Sequence, residues 1–279
     1  MLADFAVSMP ILVERTAIAT IWKVQRADGT AAALKIYPDT GMGAEAAGFD
    51  LLQALDGAAA ARVFARSRTA ALIEWLDGPS LGDLTRAGQD DLANATLIDV
   101  AQHLHAAPLP ATLPLPDLHG WFNALFDLTF HPTCPTQAIT NINRCKTMAK
   151  ALLAAPRDVR PLHGDLHHDN IRLGARGYTA FDAKGVLGER AYELANAFRN
   201  PSGAAEIVAN PARFRTMTAT WATAFDIDPH RLATWACVKS ALSIAWRAGR
   251  VLRADDELPL LAMFLQVRDT IPTPPAALP

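Results

Sequence analysis

The sequence has few cysteines, little excess charge and no long uncharged apolar run. Its three cysteines, widely and irregularly spaced, suit neither a disulfide framework nor a structural zinc site. A formal net charge of -2, without a lysine- or arginine-rich run, argues against nucleic-acid binding. Every long uncharged stretch is broken by proline or a polar residue, and the N-terminal residues lack a signal-peptide pattern. We therefore expect a cytoplasmic protein with reduced thiols and neither a nucleic-acid nor a membrane partner.

The composition is that of a folded globular chain. Apolar residues make up 51% and charged residues 19% of the 279 residues, so the chain can bury enough surface to fold. At this length one hydrophobic core tends to divide into two. We expect two lobes with a cleft between them.

The first 75 residues carry a β-rich pattern with one helix, and the rest of the chain is mainly helical. Asp28-Gly29 is a hairpin signal, and residues 44–55 have helical spacing. A turn signal at 76–79 precedes helical periodicity that begins near Ser80. The runs rich in β-forming residues are 11–14, 21–25, 31–37, 63–65 and 70–74. The pattern predicts an α+β fold, with an N-terminal lobe at 1–76 and a C-terminal lobe at 77–279 whose residues 77–79 form the hinge.

One polar run carries the strongest chemical signal. His163, Asp165 and Asn170 have the H-x-D…N spacing of a kinase catalytic loop, and Asp182 follows a short apolar run. The segments on either side of the turn at 174–177 should pair as an antiparallel hairpin, whose open end holds Asn170 and Asp182. Their oxygens suit Mg²⁺, and Asp165 is left free to accept a hydroxyl proton. We therefore predict a kinase that uses ATP and Mg²⁺, with Asp165 as catalytic base and Asn170 and Asp182 as metal ligands.

Two other interpretations of this polar run are open. Asp and Asn are common in loops, where their side chains cap turns. The histidines and aspartates of the run are also potential ligands of a transition metal in a hydrolase. No HExxH motif and no second compact histidine cluster completes such a site. His167 and His168 either orient the loop or only pack beside it.

A lysine and a glutamate upstream fit the nucleotide side of the same kind of site. Strand alternation over 31–37 places Lys35 on one face with Ala33, so that Lys35 can face a cleft. Glu45 shares a helical stripe with Phe49, so its carboxylate lies on the apolar side and needs a partner. Each residue alone would more often be a surface charge. Together, in this order before the catalytic loop, they predict the lysine–glutamate pair that holds nucleotide phosphates.

The link between the two lobes is the predicted adenine site. Backbone groups of residues 74–76, Glu74 and Leu76 among them, lie where they could read an adenine edge between apolar walls. A buried strand that simply enters a linker explains the same residues equally well.

The run LHGDLHHDN at 162–170, followed by FDAKGVLGERAYELANAFRNP at 181–201, resembles the aminoglycoside phosphotransferase superfamily, in particular its streptomycin 6-phosphotransferase and hydroxyurea-resistance kinase branch. The resemblance spans nearly the whole chain. It implies a bilobal protein-kinase-like fold, with a small antiparallel-sheet N-terminal lobe and a larger, mainly helical C-terminal lobe. It also implies that ATP phosphorylates a hydroxyl of a small molecule, and it gives Asp165, Asn170, Asp182, Lys35 and Glu45 the roles named above.

The chain departs from the family pattern at several positions. No glycine-rich loop precedes Lys35; instead residues 15–20 form a turn whose backbone N–H groups could cradle phosphate. Ala183 stands where relatives often have proline, and Glu193 where many have aspartate, so support of the catalytic loop by Glu193 is an open question. The role of Lys184, two residues after a predicted metal ligand, is also open.

The resemblance points to a polycationic aminoglycoside as acceptor, with streptomycin the first compound to test. The helical lobe offers acidic candidates, which otherwise only cap helices: Asp226, Asp228, Asp255, Asp256 and Glu257. Trp246 offers a cation-π face, although a tryptophan in this helical position is more often core. Other acceptors, such as choline, a sugar or hydroxyurea, and a nucleotide-binding pseudokinase are the alternatives. The oligomeric state is not predicted.

Overall fold

A computed structural model describes residues 3–110 and 112–273. The first residues of the predicted N-terminal lobe and the last residues of the predicted C-terminal lobe therefore lie outside the described residues. The N-terminal part is a five-stranded antiparallel sheet in the order β1-β2-β3-β5-β4. Each predicted run falls within one strand or reaches one residue beyond it, and the Asp28-Gly29 turn joins β2 to β3. The strands are β1 Val7–Arg15, β2 Thr20–Arg26, β3 Ala31–Ile36, β4 Val63–Arg66 and β5 Ala70–Glu74.

The predicted helix of this part lies between β3 and β4. A 3₁₀ turn at Gly43–Glu45 leads into α1, Ala46–Leu55, which ends at Asp56 in the left-handed conformation (φ 44°). The buried side of α1 carries Phe49, Leu51 and Leu52. Glu45 is therefore placed at the start of α1, facing the interior.

Helices dominate the rest of the chain, as predicted. The first of them is capped by Ser80, whose hydroxyl accepts the Asp83 amide (3.0 Å) while the Asp83 carboxylate accepts the Ser80 amide (2.8 Å), a capping box. The helices are α2 Leu81–Arg86, α3 Asp90–Ala106, α4 Leu118–Trp121, α5 Asn123–Phe126, α6 Thr136–Ala154, α7 Arg190–Ala195, α8 Ala205–Val208, α9 Pro211–Phe225, α10 Pro229–Ala248 and α11 Leu258–Arg268. Helix α10 is buried from Leu232 to Ala245 and packs against α5, α6, α7, α9 and α11. It is the central helix of this part.

Three two-stranded sheets complete the fold. The parallel pair is β6 Thr129–Phe130 with β11 Val251–Leu252, and the antiparallel pairs are β7 Val159–Leu162 with β10 Val186–Glu189 and β8 Ile171–Gly174 with β9 Gly177–Ala180. The β8–β9 pair confirms the predicted hairpin. It places the catalytic-loop residues just before β8 and Asp182 just after β9.

The hydrophobic core is shared between the two parts of the chain. One cluster joins the buried face of α1, including Phe49 and Leu52, to the helices around α10. A second, smaller cluster, which includes Val24 and Leu34, covers the other face of the sheet. Helix α1 thus belongs to the same core as the helical part, which fixes Glu45 relative to the catalytic loop. The predicted boundary at 77–79 falls between β5 and α2 and stays a prediction. In the stretches that the structure describes, no helix is long and apolar enough to cross a membrane.

Candidate active site

The catalytic loop is held by a buried carboxylate from α7. Glu193 accepts the amide of His163 through one oxygen (2.6 Å) and the amide of Gly164 through the other (2.8 Å). Its side chain is only 1% exposed, so these two hydrogen bonds satisfy a charge that is removed from water. Glutamate in place of the family's frequent aspartate therefore does support the loop.

His163 joins the loop to the segment that carries Asp182. Its Nε2 lies 2.9 Å from the Phe181 carbonyl, which can only accept, so Nε2 carries the proton. Its Nδ1 is then an acceptor and receives the Asp165 amide (3.3 Å). The His163 carbonyl also accepts the Lys184 amide (2.7 Å). His163 thus fixes the relative positions of Asp165 and Asp182 through its side chain and its backbone carbonyl.

Two asparagine side chains hold the Asp165 carboxylate. Its Oδ1 accepts from Asn196 Nδ2 (2.6 Å) and its Oδ2 from Asn170 Nδ2 (3.4 Å). Burial acts to raise the pKa of Asp165, but the interactions with His167 and with the positively charged Lys239 and Lys184 outweigh burial and hold that pKa below its usual range. Asp165 is therefore ionised at neutral pH, as a proton acceptor must be.

Asn196 is a site residue that the sequence did not reveal. It lies in the turn after α7, 2% exposed, and its only signal is a polar residue within an otherwise apolar stretch. Its own carbonyl accepts from Asn200 Nδ2 (2.8 Å), which fixes the backbone at this point.

The two predicted metal ligands meet at the open end of the hairpin. The Phe181 amide donates to the Asn170 carbonyl (2.9 Å), which brings Asp182 alongside Asn170. Asn170 Nδ2 donates to the Asp165 carbonyl (2.9 Å), so the side-chain oxygen of Asn170 is left to a cation. One amide oxygen and one carboxylate fit Mg²⁺, which takes few protein ligands beside substrate phosphates.

Two lysines and two carboxylates form a closed network on the nucleotide side. Lys35 Nζ lies 2.7 Å from Glu45 Oε2 and 3.0 Å from Asp182 Oδ1. Lys184 Nζ lies 3.1 Å from Glu45 Oε1 and 2.9 Å from Asp182 Oδ2. The structure therefore brings Lys35 and Glu45 into contact, as strand alternation and helical spacing predict, and adds Lys184, whose role the sequence left open.

The charges of this network determine its protonation. Burial acts to raise the pKa of Asp182, but the charges of Lys35 and Lys184 outweigh it and keep that pKa far below normal. Burial acts to lower the pKa of Lys184, but Asp182 and Glu45 raise it instead. Asp182 and Lys184 are thus both charged over the physiological pH range.

A close contact at Gly48 sets the position of this network. A Cβ at Gly48 would lie 1.8 Å from the Ala183 carbonyl oxygen, so α1 rests directly on the residue after Asp182. We expect Gly48→Ala to lower kcat/KM for ATP by about tenfold or more, because the methyl group must push the helix bearing Glu45 away. Initial rates at varied ATP concentration measure the effect. Gln53→Ala, on the exposed side of α1, is the control, and equal rates for both variants would contradict the expectation.

The predicted adenine site is only partly available. The Glu74 carboxylate pairs with Arg176 Nε (3.0 Å) and accepts the Arg62 amide (3.1 Å), and the Glu74 amide donates to the Arg62 carbonyl (2.9 Å). Glu74 therefore cannot offer its amide to a nucleotide, and its side chain ties the sheet to the β8–β9 turn. In the described part of the chain, the amide of the buried Leu76 has no hydrogen-bond acceptor, and the adenine-binding role of Leu76 stays a prediction.

The turn between β1 and β2 closes on itself. Thr16 Oγ1 accepts the amides of Ile18 (3.3 Å) and Ala19 (3.0 Å), and the Thr16 amide donates to the Ala19 carbonyl (2.9 Å). These amides are used within the turn. These three amides are therefore not free to cradle phosphate in this arrangement of the loop, and a phosphate site formed by the rest of the turn stays a prediction.

The two histidines of the loop both orient it. His167 Nδ1 accepts the Asp169 amide (3.2 Å). His168 is completely buried, and its Nε2 pairs with the side-chain oxygen of Asn94 on α3 (3.1 Å). Burial lowers the pKa of His168, so His168 is neutral and donates to Asn94.

A cleft of about 1000 Å³ opens beside Asp165. Its walls come from the start of α1, from α4, from the catalytic loop and from one face of α10, where Lys239, Ser243, Trp246 and Arg247 follow helical spacing. Trp246 is 44% exposed and packs edge-on against Trp121 (centroids 5.9 Å apart), so it forms a wall of the cleft rather than core. The cleft is large enough for a multi-ring small molecule.

Four of the five acidic candidates divide into two groups, and the fifth, Asp256, is exposed. Asp228 caps α10 by accepting the Arg231 amide (2.9 Å), and Asp226 ends α9 in the left-handed conformation. Asp255 instead pairs with Arg247 (2.8 Å) and Glu257 with Arg199 (2.5 Å), and both arginines line the cleft. Capping alone therefore explains the first pair but not the second.

Comparison with solved structures defines the class. A choline/ethanolamine kinase family protein from Mesorhizobium loti superimposes with a TM-score of 0.66 at 12% identity, over 98% of this chain and 91% of that chain. A thermostable mutant of an aminoglycoside phosphotransferase, solved with ADP and hygromycin B, superimposes with a TM-score of 0.62 at 16% identity, over 97% and 95%. The fold is α+β and protein-kinase-like, as predicted.

Sequence comparison defines the family. Residues 4–250 match the sequence profile of the aminoglycoside/hydroxyurea antibiotic resistance kinases. A streptomycin 3''-kinase from Klebsiella pneumoniae is 39% identical over 213 residues, which are 74% of this chain and 76% of the relative. The chain belongs to the aminoglycoside/hydroxyurea antibiotic resistance kinase family, which confirms the resemblance. It is an ATP-dependent small-molecule phosphotransferase that acts on a hydroxyl group.

Proposed function

We propose that this kinase phosphorylates a cationic aminoglycoside, with streptomycin the first acceptor to test, and that it uses Asp165 as base. The observation that carries the proposal is the ionised Asp165 carboxylate in the wall of a cleft of about 1000 Å³, directly beside the lysine–carboxylate network. The relative named streptomycin 3''-kinase supports the choice of acceptor.

The nucleotide is bound between the sheet and the catalytic loop. Lys35 and Lys184 supply the positive charge that orients the phosphates, and Glu45 holds both ammonium groups in place. The Leu76 amide is the donor available to the adenine edge. Asn170 and Asp182 would hold Mg²⁺, which when bound neutralises charge on the phosphates.

Asp165 positions the acceptor hydroxyl and takes its proton. Asn196 and Asn170 donate to the two carboxylate oxygens, so the side chain cannot rotate freely. The hydroxyl oxygen attacks the γ-phosphorus in line, the bond to the β-phosphate bridging oxygen breaks, and ADP leaves. Fixing the reactants in this way supplies most of the rate increase.

Two carboxylates behind the acceptor-side wall of the cleft offset the charge of the arginines in that wall. Arg247 donates to both oxygens of Asp255 (2.8 and 2.9 Å) and lies 3.1 Å from Glu257. We expect Asp255→Asn to raise the acceptor KM about three- to tenfold with little change in kcat, because unbalanced Arg247 then repels a cationic acceptor.

Steady-state kinetics at varied acceptor concentration test this charge balance. Asp256→Asn is the matched control, since Asp256 is exposed and, within the described residues, has no charged partner. A KM that is the same in Asp255→Asn and Asp256→Asn would contradict a part for Asp255.

A panel assay tests the proposed acceptor class. ADP release is measured with ATP and Mg²⁺ alone and after addition of each of several aminoglycosides, choline, hydroxyurea and neutral sugars. We expect release to depend on an aminoglycoside, with streptomycin among the active compounds. Release that depends only on a neutral alcohol would overturn the acceptor while leaving the kinase chemistry intact.

A further inference from the structure

Lys239 is a buried cation in the wall of the cleft that the mechanism above does not use. It lies on α10, is 2% exposed, and its ammonium sits over the rings of Trp246 (4.5 Å) and Tyr192 (5.5 Å). Among the residues that the structure describes, no side chain or backbone group forms a hydrogen bond or ion pair with it. An ammonium has three N–H donors, and leaving them unsatisfied in a buried place is costly.

The neighbouring charges are engaged elsewhere. The charged groups that act on Lys239 are Asp165, Glu193, Glu257 and Arg199, and Tyr192 faces it as well. Each of the three carboxylates already has donors: Asn196 for Asp165, loop amides for Glu193, and arginines for Glu257. The donors of Lys239 are therefore left for a molecule in the cleft.

The position of Lys239 indicates which part of that molecule it contacts. It shares the cleft with Asp165, and each group shifts the pKa of the other. It lies on α10, whereas the lysines of the nucleotide network lie on β3 and after β9. A cationic group of the acceptor is repelled by Lys239, while a ring hydroxyl or ether oxygen can accept from it.

On the basis of the proposed function, we propose that Lys239 donates a hydrogen bond to an uncharged oxygen of the acceptor next to the hydroxyl that is phosphorylated. By doing so it determines which hydroxyl reaches Asp165. Lys239 is then a specificity-determining residue.

The first test compares Lys239→Met with the wild type, using whichever hydroxyl compound the wild type phosphorylates. We expect the acceptor KM to rise about tenfold or more, as for loss of a hydrogen bond from a charged donor. The KM for ATP should not change, and NMR of the product should show phosphate on more than one hydroxyl. Lys150→Met, an exposed lysine on α6, is the control and should behave as the wild type.

The pH dependence gives a second readout that a structural role would not change. Burial lowers the pKa of Lys239 to about 8, against the pull of Asp165. The ammonium, and with it the extra acceptor affinity, is therefore present below this pH and lost above it. The ratio of acceptor KM in Lys239→Met to that in the wild type should fall toward one as pH rises from 7 to 9.5, and titration of the acceptor cancels in this ratio.

Three results would overturn the assignment. The first is an unchanged acceptor KM in Lys239→Met with a single product, and the second is a ratio of acceptor KM values that does not vary with pH. The third is a fall in kcat alone, which would place Lys239 on the phosphoryl group. If Lys239→Met does not fold, Lys239→Arg replaces it. Its charge does not titrate, so the wild-type KM should then rise relative to the variant above pH 8. Failure of the wild type with every aminoglycoside would reject the proposed acceptor, and the test of Lys239 continues with the alcohol that is phosphorylated.

Discussion

Replacing Asp165 with asparagine is expected to lower kcat about 10²- to 10⁴-fold, the range for loss of a positioned general base. Asparagine keeps the size of the side chain and cannot take the acceptor proton. Because Asp165 touches neither Lys35 nor Glu45 in the network, ADP should bind with unchanged affinity. Single-turnover rates with saturating acceptor, together with ADP binding and thermal unfolding, measure the effect.

Two observations check the assignment of Asp165 further. The exposed Asp127→Asn should behave as the wild type, since Asp127 lies on the surface after α5. The pKa of Asp165 is held below its usual range, so the base stays ionised as pH falls, and the acidic decline of kcat/KM should lie below the range of an ordinary carboxyl group. Near-normal turnover of Asp165→Asn, or an acidic decline near pH 6, would contradict the role of base.

Replacing Asp182 with asparagine is expected to lower turnover more than about 10²-fold at a fixed Mg²⁺ concentration, because a charged metal ligand is lost. Asp182 has a φ of 58°, in the left-handed region that asparagine tolerates and alanine does not, so asparagine isolates the charge from backbone strain. The variant keeps the ion pairs of Lys35 and Lys184 with Glu45.

Titration with Mg²⁺ distinguishes a ligand from a structural residue. We expect the Mg²⁺ concentration that gives half of the maximal rate to rise in Asp182→Asn, and more modestly in Asn170→Ala. Asp158→Asn, whose carboxylate pairs with Arg160 and Arg190 away from the site, provides the control. The same Mg²⁺ dependence in all of these proteins would remove Asp182 from the metal site.

The parts of the site that were predicted from sequence are those set by local spacing. Alternation along β3 predicts that Lys35 lies on the inner face, and helical spacing predicts that Glu45 faces inward as well. In the structure Lys35 Nζ lies 2.7 Å from Glu45 Oε2. The turn at 174–177 similarly predicts the hairpin that brings Asn170 to Asp182. Each inference needs only one element and its neighbour.

The parts that could not be predicted depend on packing between distant elements. Asn196 reaches the catalytic loop because α7 packs on β7, and no local pattern reports that contact. The same packing settles the support of the loop by Glu193, which the sequence left open. From sequence, Lys239 is an ordinary polar residue of a helix. Its burial follows from the position of α10 at the centre of the helical part. The pairing of Arg247 with Asp255 likewise became visible only when the end of α10 and the segment before α11 were placed together.

The most direct test of the central claim is mass spectrometry of streptomycin after incubation with ATP, Mg²⁺ and either the wild-type protein or Asp165→Asn. We predict stoichiometric conversion to a monophosphorylated product by the wild type, with ADP formed in equal amount, and almost none by the variant. Unmodified streptomycin with the wild type, or the same amount of product from both proteins, would contradict the account.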